Sequence, residues 1–474
     1  MIVDRSPSKP PRAKPAARLV AFATAAAVAL GSYPVRAQTG SNAGIPMIRD
    51  AEIEQLLRDY TRPIFKVAGL TQQNIQVVII QDKSFNAFVM DAHRIFVNMG
   101  ALMEATTPNQ IIGVFSHETG HIVGGHLSRI RQELANAQTL MIVGLLLGLG
   151  ATIAGARSGN VDMGNVGGAL LNAPQAYAQS SLLSYQRAQE ESADRAGVRF
   201  LTMTGQSAKG MYDTFKRFAD ESLYSARGIN PYAQNHPMPQ ERMAALAELV
   251  KTPYWDKKDP PELQFRHDMM RAKLYGFTER PEVIIRRYPS TDTSLPARYA
   301  RAISTYRYGE LHSAITQIDG LIQAMPNNPY FYELKGQALL EGGHPADAIA
   351  PLRHAMQTAP DPALIQILLA QALVATNDPK MVEEAVPILR TALLKEPESV
   401  DAYTTLAMAY GQKKDYADAD LASAQAAFAR GDNKTARELA ARAKQRFPIG
   451  SPGWVRADDL VAFNKNQRDN PLSK

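Results

Sequence analysis

The chain has 474 residues, of which 45% are apolar and 21% charged, and it contains no cysteine. This length suits roughly two to four domains with packed cores, which excludes a disordered or fibrous protein. Without cysteine there are no disulfides, zinc ribbons, iron–sulfur clusters or thiol nucleophiles, so any metal must be bound by His, Asp or Glu.

The formal net charge of +6 is concentrated at the amino terminus. Residues 1–37 contain six basic side chains and one acidic side chain, which leaves a net charge of only +1 for residues 38–474. Because phosphate binding requires a basic surface, the nearly neutral body argues against a nucleic-acid partner.

The same 37 residues have the organisation of an export signal. A basic, Pro-rich segment ends at Arg18, an apolar run extends from Leu19 to Leu30, and Val35-Arg-Ala37 resembles a cleavage site. The apolar run is too short to span a bilayer comfortably. We therefore predict a signal peptide over residues 1–37, cleaved after Ala37; the alternative is an uncleaved anchor.

The next segment predicts one helix and a small sheet. Apolar residues share one side of a helix over residues 48–60, and two β-branched runs at 75–81 and 94–98 predict strands. Residues 82–88 between these runs are less regular. The pattern therefore predicts a sheet of two or three strands.

The following helix carries the most informative motif of the chain. Thr107 fits the N-cap position and Pro108 the first helical position, and the helix is expected to extend from residue 108 to about 130. The sequence His117-Glu118-Thr119-Gly120-His121 places two imidazoles on one helix face, four residues apart, where both can reach one ion. Neutral imidazoles suit zinc, and Glu118 can take a proton from a metal-activated water.

Residues 134–156 contain no charged side chain, and 140–156 are mostly apolar with interspersed glycines. These 17 residues are at the lower limit for a bilayer span, so a buried helix, a hairpin dipping into a membrane surface and a span all remain open. We take residues 140–156 as the candidate for peripheral membrane contact. A Gly- and Asn-rich loop is predicted over 158–179, and helices are predicted over 180–205, 207–226 and 239–250.

A third metal ligand is expected, because catalytic zinc sites use three protein ligands and keep one open position. His126 lies about 140° around the helix from His121, so it cannot join the motif unless the helix breaks at Gly124-Gly125. Glu190 and Asp194 share one helix face further along the chain, where Glu190 could bind the metal and Asp194 could accept a hydrogen bond from a ligand imidazole. The alternative is that Glu190 and Glu191 are ordinary solvated charges.

Two Pro-rich stretches, 252–261 and 288–296, place a domain boundary, and the chain repeats beyond them. An Ala-x3-apolar-x2-apolar-x4-Pro pattern that starts at Ala314 returns 34 residues later and then twice more at longer offsets. This period resembles the tetratricopeptide repeat, whose characteristic positions are filled by Tyr332, Gly336, Ala348, Ala355 and Pro360. Stacked helix pairs of this kind form a groove that binds proteins.

Three separated motifs together resemble the peptidase family of the CAAX prenyl protease and the bacterial heat-shock membrane protease. They are the HETGH motif, the Glu190–Asp194 segment, and His236-Pro-Met-Pro-Gln-Glu-Arg242. The resemblance implies a mainly α fold with a small β-sheet: a gluzincin-type metallopeptidase domain followed by an α-solenoid of tetratricopeptide repeats. It implies one zinc ion per chain, bound by His117, His121 and Glu190, with Glu118 as the general base. It also implies that Asp194 supports a ligand from behind and that His236 and Arg242 are active-site groups. In this family the His of the His-Pro element can occupy the open zinc position in a latent state, and the strand at 94–98 with Asn86–Phe88 resembles the edge-strand region that aligns a substrate.

The expected boundaries are a signal peptide at 1–37, a zinc metallopeptidase domain at 48–251, a helical linker at 252–295, repeats at 296–450 and a tail at 451–474. The resemblance, the export signal and the repeats together imply a periplasmic zinc endopeptidase, membrane-associated or not. Its expected substrates are misfolded or stalled outer-membrane proteins, and its expected partners are those proteins or their assembly machinery. The alternatives are a non-catalytic or latent repeat-based chaperone or scaffold for envelope assembly, and an anchored inner-membrane protease.

Overall fold

The computed structural model describes residues 46–130, 132, 184–224 and 231–463. The predicted signal peptide, the apolar segment 140–156 and the predicted loop 158–179 lie outside the described residues. Among the helices that are described, none combines the length and the apolar character needed to cross a membrane.

A mixed four-stranded sheet lies in the first part of the chain. Its strands are β1 (Met47–Ile48), β2 (Gln76–Ile80), β3 (Ala87–Asp91) and β4 (Arg94–Asn98), in the order β1-β2-β4-β3. Strands β2 and β4 are parallel, and the other two pairs are antiparallel. Strand β3 is at an edge, whereas β4 is internal.

The sheet exceeds the predicted size because β1 and β3 have weak sequence signals. Strand β1 has only two residues, and a bulge between Val89 and Asp91 disrupts the alternation of β3. Pairing across the sheet stabilises β3 nonetheless, since the rings of Phe88 and Phe96 stack with centroids 5.5 Å apart.

Helices surround this sheet and enclose one apolar core. They are α1 (Ala51–Val67), α2 (Met99–Glu104), α3 (Pro108–Val123), α4 (184–203), α5 (Lys209–Tyr224), α6 (Pro231–Asn235) and α7 (Gln240–Leu249). As predicted, α3 begins at Pro108, and the Thr107 amide donates to the side chain of Gln110. It ends at Val123 instead of continuing to about 130, because Gly125 adopts a left-handed φ of 62°; helical geometry resumes at 126–130.

Helices α3 and α4 approach each other closely where the motif lies. A Cβ added to Gly120 would be 2.8 Å from the backbone oxygen of Ala193, so only glycine allows this spacing. The close approach brings the histidines of α3 beside the acidic residues of α4.

Two helices follow the first core, α8 (Pro261–Thr278) and α9 (Pro281–Arg287), and then the repeat region begins. Its helices are α10 (Leu295–Tyr308), α11 (Leu311–Ala324), α12 (Pro329–Glu341), α13 (Pro345–Thr358), α14 (Ala363–Ala375), α15 (Pro379–Lys395), α16 (Val400–Gln412), α17 (Tyr416–Ala429) and α18 (Asn433–Arg446). A last helix, α19 (Pro452–Ala462), packs on α18 within the segment assigned to the tail.

The repeat pattern marks the buried faces of α11, α13, α15 and α18. All twelve of its apolar positions are at most 1% exposed; they are Ala314, Ile318, Leu321, Ala348, Leu352, Ala355, Ala385, Leu389, Ala392, Ala436, Ala440 and Ala443. The last offset is longer because two helices, α16 and α17, lie between α15 and α18.

The repeats pack directly against the amino-terminal end of α1. Ala51 is buried with Ala355 and Ile365 of the repeats, and Arg49 pairs with Glu396 at 2.8 Å. Lys273 of α8 lies at the same junction. It is 3% exposed, and its Nζ is 2.8 Å from the carboxylate of Asp50.

Lys273 thus contacts carboxylates from two parts of the chain. Its Nζ is also 3.2 Å from Glu52 of α1 and 3.9 Å from Glu333 of α12. Glu52 accepts a further hydrogen bond from the hydroxyl of Tyr299 in α10, at 2.9 Å. A buried charge cluster therefore joins the sheet-containing part to the repeats.

Candidate metal centre

Three parts of the chain bring all seven predicted site residues together. Helix α3 supplies His117, Glu118 and His121, α4 supplies Glu190 and Asp194, and the segment from α6 into α7 supplies His236 and Arg242. These seven side chains come from distant parts of the sequence. All except His121 are buried.

Four of these side chains direct ligand atoms toward a common point. One atom each from His117, His121, Glu190 and His236 lies within 4.8 Å of the others. The Nε2 atoms of His117 and His121 are 3.1 Å apart, and the Glu190 carboxylate is 3.4 Å from each of them. Such convergence of nitrogen and oxygen donors on one point is the arrangement that a metal ion requires.

Behind this cluster, Asp194 and Arg242 contact the side chains of His117 and Glu190. Asp194 Oδ1 is 2.9 Å from Nδ1 of His117, on the side of the ring that faces away from the cluster. Arg242 donates from Nε and Nη2 to the two oxygens of Asp194, at 2.7 and 2.9 Å, and its Nη1 is 2.9 Å from Glu190. A bidentate guanidinium of this kind fixes the orientation of both carboxylates.

The electrostatics follow from deep burial among opposite charges. Burial lowers the pKa of His117, but its hydrogen bonds with Asp194 and Glu190 outweigh burial and raise the pKa to about 9. Burial raises the pKa of Asp194, but the Arg242 guanidinium outweighs it and holds the pKa at about 2. His236 and His117 likewise hold the pKa of Glu190 well below its usual range against the effect of burial, so both carboxylates are negatively charged.

Glu118 is buried beside the cluster. It is 1% exposed, and burial raises the pKa of its carboxyl group. Oε1 is 3.4 Å from Nε2 of His236, and within the described part of the chain neither carboxylate oxygen accepts a hydrogen bond. A buried carboxylate without donors is costly unless another polar or charged group completes the site.

His236 lies between the ligand atoms and Glu118. Its Nδ1 is 3.1 and 3.2 Å from the two oxygens of Glu190 and 3.3 Å from Nε2 of His117. The ring packs against Tyr232, with centroids 4.6 Å apart. His236 thus occupies the side of the cluster that faces Glu118.

The sequence did not predict which aromatic side chains pack around the site. Phe215 packs edge-on against His117 with centroids 5.1 Å apart, and the guanidinium of Arg242 lies 5.5 Å from the same ring. Both Phe215 and Tyr232 are fully buried. Ordinary core aromatics have the same pattern, so only the fold reveals that these two enclose the site.

The structure meets the condition under which His126 can approach the motif. The helix does break at Gly124-Gly125, and His126 returns to lie against His121, with the two Nδ1 atoms 3.0 Å apart. It is 4% exposed and therefore is not a surface residue. It is not one of the four residues whose ligand atoms converge.

Comparison with known proteins extends this description. Residues 48–250 match the model of peptidase family M48. Over 444 residues the chain is 24% identical to a beta-barrel assembly-enhancing protease of Yersinia pestis, covering 92% of this chain and 87% of that protein. The protein of the same name from Escherichia coli strain K12 is 23% identical over 442 residues, which cover 91% and 86% of the two chains. The metalloprotease LoiP of E. coli is 27% identical over 182 residues, covering 38% of this chain and 65% of that one.

Proposed function

We propose that this chain, a metalloprotease whose residues 48–250 match the model of peptidase family M48, is a zinc-dependent endopeptidase of the periplasm. Its proposed substrates are misfolded or stalled outer-membrane proteins. The observation that carries this proposal is the convergence of His117, His121 and Glu190 beside a buried Glu118. Export rests on the signal-like residues 1–37.

The donor set suits zinc. Two imidazoles and one carboxylate, in a chain without cysteine, are the three protein ligands of a catalytic zinc site with an open fourth position. When bound, zinc would activate a water molecule and polarise the scissile carbonyl group. We assign His117, His121 and Glu190 as its ligands.

The other side chains then have distinct tasks. Glu118, which is buried and accepts no hydrogen bond from the described residues, is the general base: it takes the proton of the attacking water and passes it to the leaving amine. Asp194 accepts a hydrogen bond from Nδ1–H of His117 and thereby fixes Nε2 toward the metal. Arg242 keeps Asp194 and Glu190 charged and oriented.

His236 accounts for a latent state of the enzyme. Its Nδ1 lies among the ligand atoms, so the imidazole can fill the position that water needs. When the segment after α6 moves, the same side chain becomes available as a hydrogen-bond donor to the developing oxyanion. This arrangement favours a second function for the closed form, that of a repeat-based chaperone or scaffold in envelope assembly.

The substrate class and partners are supported by the relatives. Two of them are named for the enhancement of beta-barrel assembly, and their similarity extends over the repeats as well as the peptidase domain. The repeats therefore bind the protein substrate or a protein of the assembly machinery.

The decisive experiment compares wild type with Glu118→Gln. Both proteins should bind about one zinc per chain by elemental analysis, but the variant should cleave a misfolded outer-membrane protein at least about 100-fold more slowly. Glu191→Gln is the matched control, because Glu191 is an exposed carboxylate one residue from the proposed ligand. Cleavage by Glu118→Gln at the wild-type rate would refute the enzyme assignment, and co-purification of substrates with this variant in the native host would identify them.

A further inference from the structure

We propose that His126 is a positioning residue that orients the ring of His121 toward the metal. The inference rests on the proposed function, since it concerns how one ligand of the zinc site is held. His126 belongs to none of the three motifs that identify the family resemblance.

The two nitrogens of His121 have different surroundings. Nε2 faces the cluster, 3.1 Å from Nε2 of His117 and 3.4 Å from Glu190. Nδ1 points away from the cluster and lies 3.0 Å from Nδ1 of His126. One of these two nitrogens must donate and the other accept.

Metal binding decides which nitrogen donates. An imidazole that binds a metal through Nε2 carries its proton on Nδ1, so His121 is the donor and Nδ1 of His126 is the acceptor. His126 then carries its own proton on Nε2. The ring centroids are 5.0 Å apart with the ring planes inclined at 84°, and the 3.0 Å between the two Nδ1 atoms is a hydrogen-bond distance.

The local backbone is built for this contact. In a continuous helix His126 would be on the opposite face from the motif, but Gly125 has a φ of 62° and turns the chain back. A Cβ on Gly124 would lie 2.1 Å from Nε2 of His126, so the ring occupies space that only glycine at 124 leaves open. Gly124 and Gly125 together therefore determine the position of the His126 ring.

The two zinc-binding imidazoles are thus held in different ways. His117 is backed by the carboxylate of Asp194, whereas His121 is backed by a neutral ring. A carboxylate acceptor makes its partner imidazole a stronger ligand, so His121 is the weaker of the two and depends more on orientation.

The test measures zinc affinity by competition with a chromogenic chelator. His126→Phe fills a similar volume without an acceptor and should weaken zinc binding about 10- to 100-fold, the range for a lost partner behind a ligand imidazole. His126→Asn places an amide oxygen near the position of Nδ1 and should restore affinity to within about threefold of wild type. Gly124→Ala keeps both histidines but displaces the His126 ring, so it should resemble His126→Phe. The matched control is Gly411→Ala, where a Cβ would meet no atom within 4 Å.

Two further measurements separate positioning from general destabilisation. The d–d absorption bands of cobalt-substituted protein should shift in His126→Phe and Gly124→Ala but not in His126→Asn or Gly411→Ala. The melting temperature of each metal-free variant shows whether it folds. Zinc affinity of His126→Phe within twofold of wild type, or failure of His126→Asn to restore it, would overturn the inference while leaving the proposed function intact. Absence of zinc binding by wild type itself would instead refute the proposed function.

Discussion

Removing the positive charge of Lys273 should strongly destabilise the protein. Lys273→Met keeps most of the aliphatic volume but leaves the carboxylates of Asp50 and Glu52 without the cation that they share. Loss of one partner from a buried ion pair costs about 3–5 kcal/mol, because an uncompensated charge remains buried.

This cost can be converted into a change of melting temperature. At about 2.1 cal/mol/K per residue, a cooperative unit of about 400 residues loses about 1.2 °C per kcal/mol. Lys273→Met should therefore melt about 4–6 °C below wild type in a calorimetric scan at neutral pH. The matched control is Lys335→Met on α12, whose Nζ is 2.6 Å from a half-exposed Asp319. A half-exposed pair contributes at most about 1 kcal/mol, so this control should shift by about 1 °C or less. If the two variants melt at the same temperature, the buried cluster does not stabilise the junction as argued.

Three other changes have defined outcomes. Burial raises the pKa of Glu333 to about 8. The protonated side chain therefore stabilises the fold at acid pH, and this contribution is lost as pH rises toward 8, which lowers the melting temperature. Glu333→Gln should flatten this decline between about pH 5 and 8.5. Asp194→Asn should weaken zinc binding about 10- to 100-fold in chelator competition, and an unchanged affinity would contradict its assigned contact with His117. His236→Ala should alter self-cleavage and degradation of a misfolded outer-membrane protein. We expect faster cleavage, because the variant no longer has an imidazole at the open metal position. Rates equal to wild type in both assays would show that His236 does not block this position.

The elements that sequence analysis located correctly are those with local, periodic signals. The capping pattern at Thr107 and Pro108 fixed the start of α3, and the spacing of Ala348, Leu352 and Ala355 identified the buried face of a repeat helix. The same spacing logic placed Glu190 and Asp194 on one face of α4, where both contact His117. Local periodicity is sufficient in these cases because it fixes which face of its own helix each side chain occupies.

The features that escaped prediction depend on contacts between distant residues. The extent of α3 was wrong because a left-handed glycine, compatible with a helix on composition alone, ends it at Val123. Strand β3 was obscured by a bulge and is held by its pairing with β4. The position of Lys273 between α1 and α12 has no signature in its own neighbourhood, since a lysine on an amphipathic helix is ordinarily solvated.

Helix α8 determines how the molecule can be divided. Met270 and Leu274 belong to the core around the sheet, whereas Met269 belongs to the core of the first repeats. A truncated protein ending before α8 would bare the apolar surface that this helix covers, and one ending after it would bare the opposite side of the helix itself. The peptidase portion therefore cannot be transferred to another protein on its own. Exchanging the repeats for those of another protein would require redesign of both faces of α8.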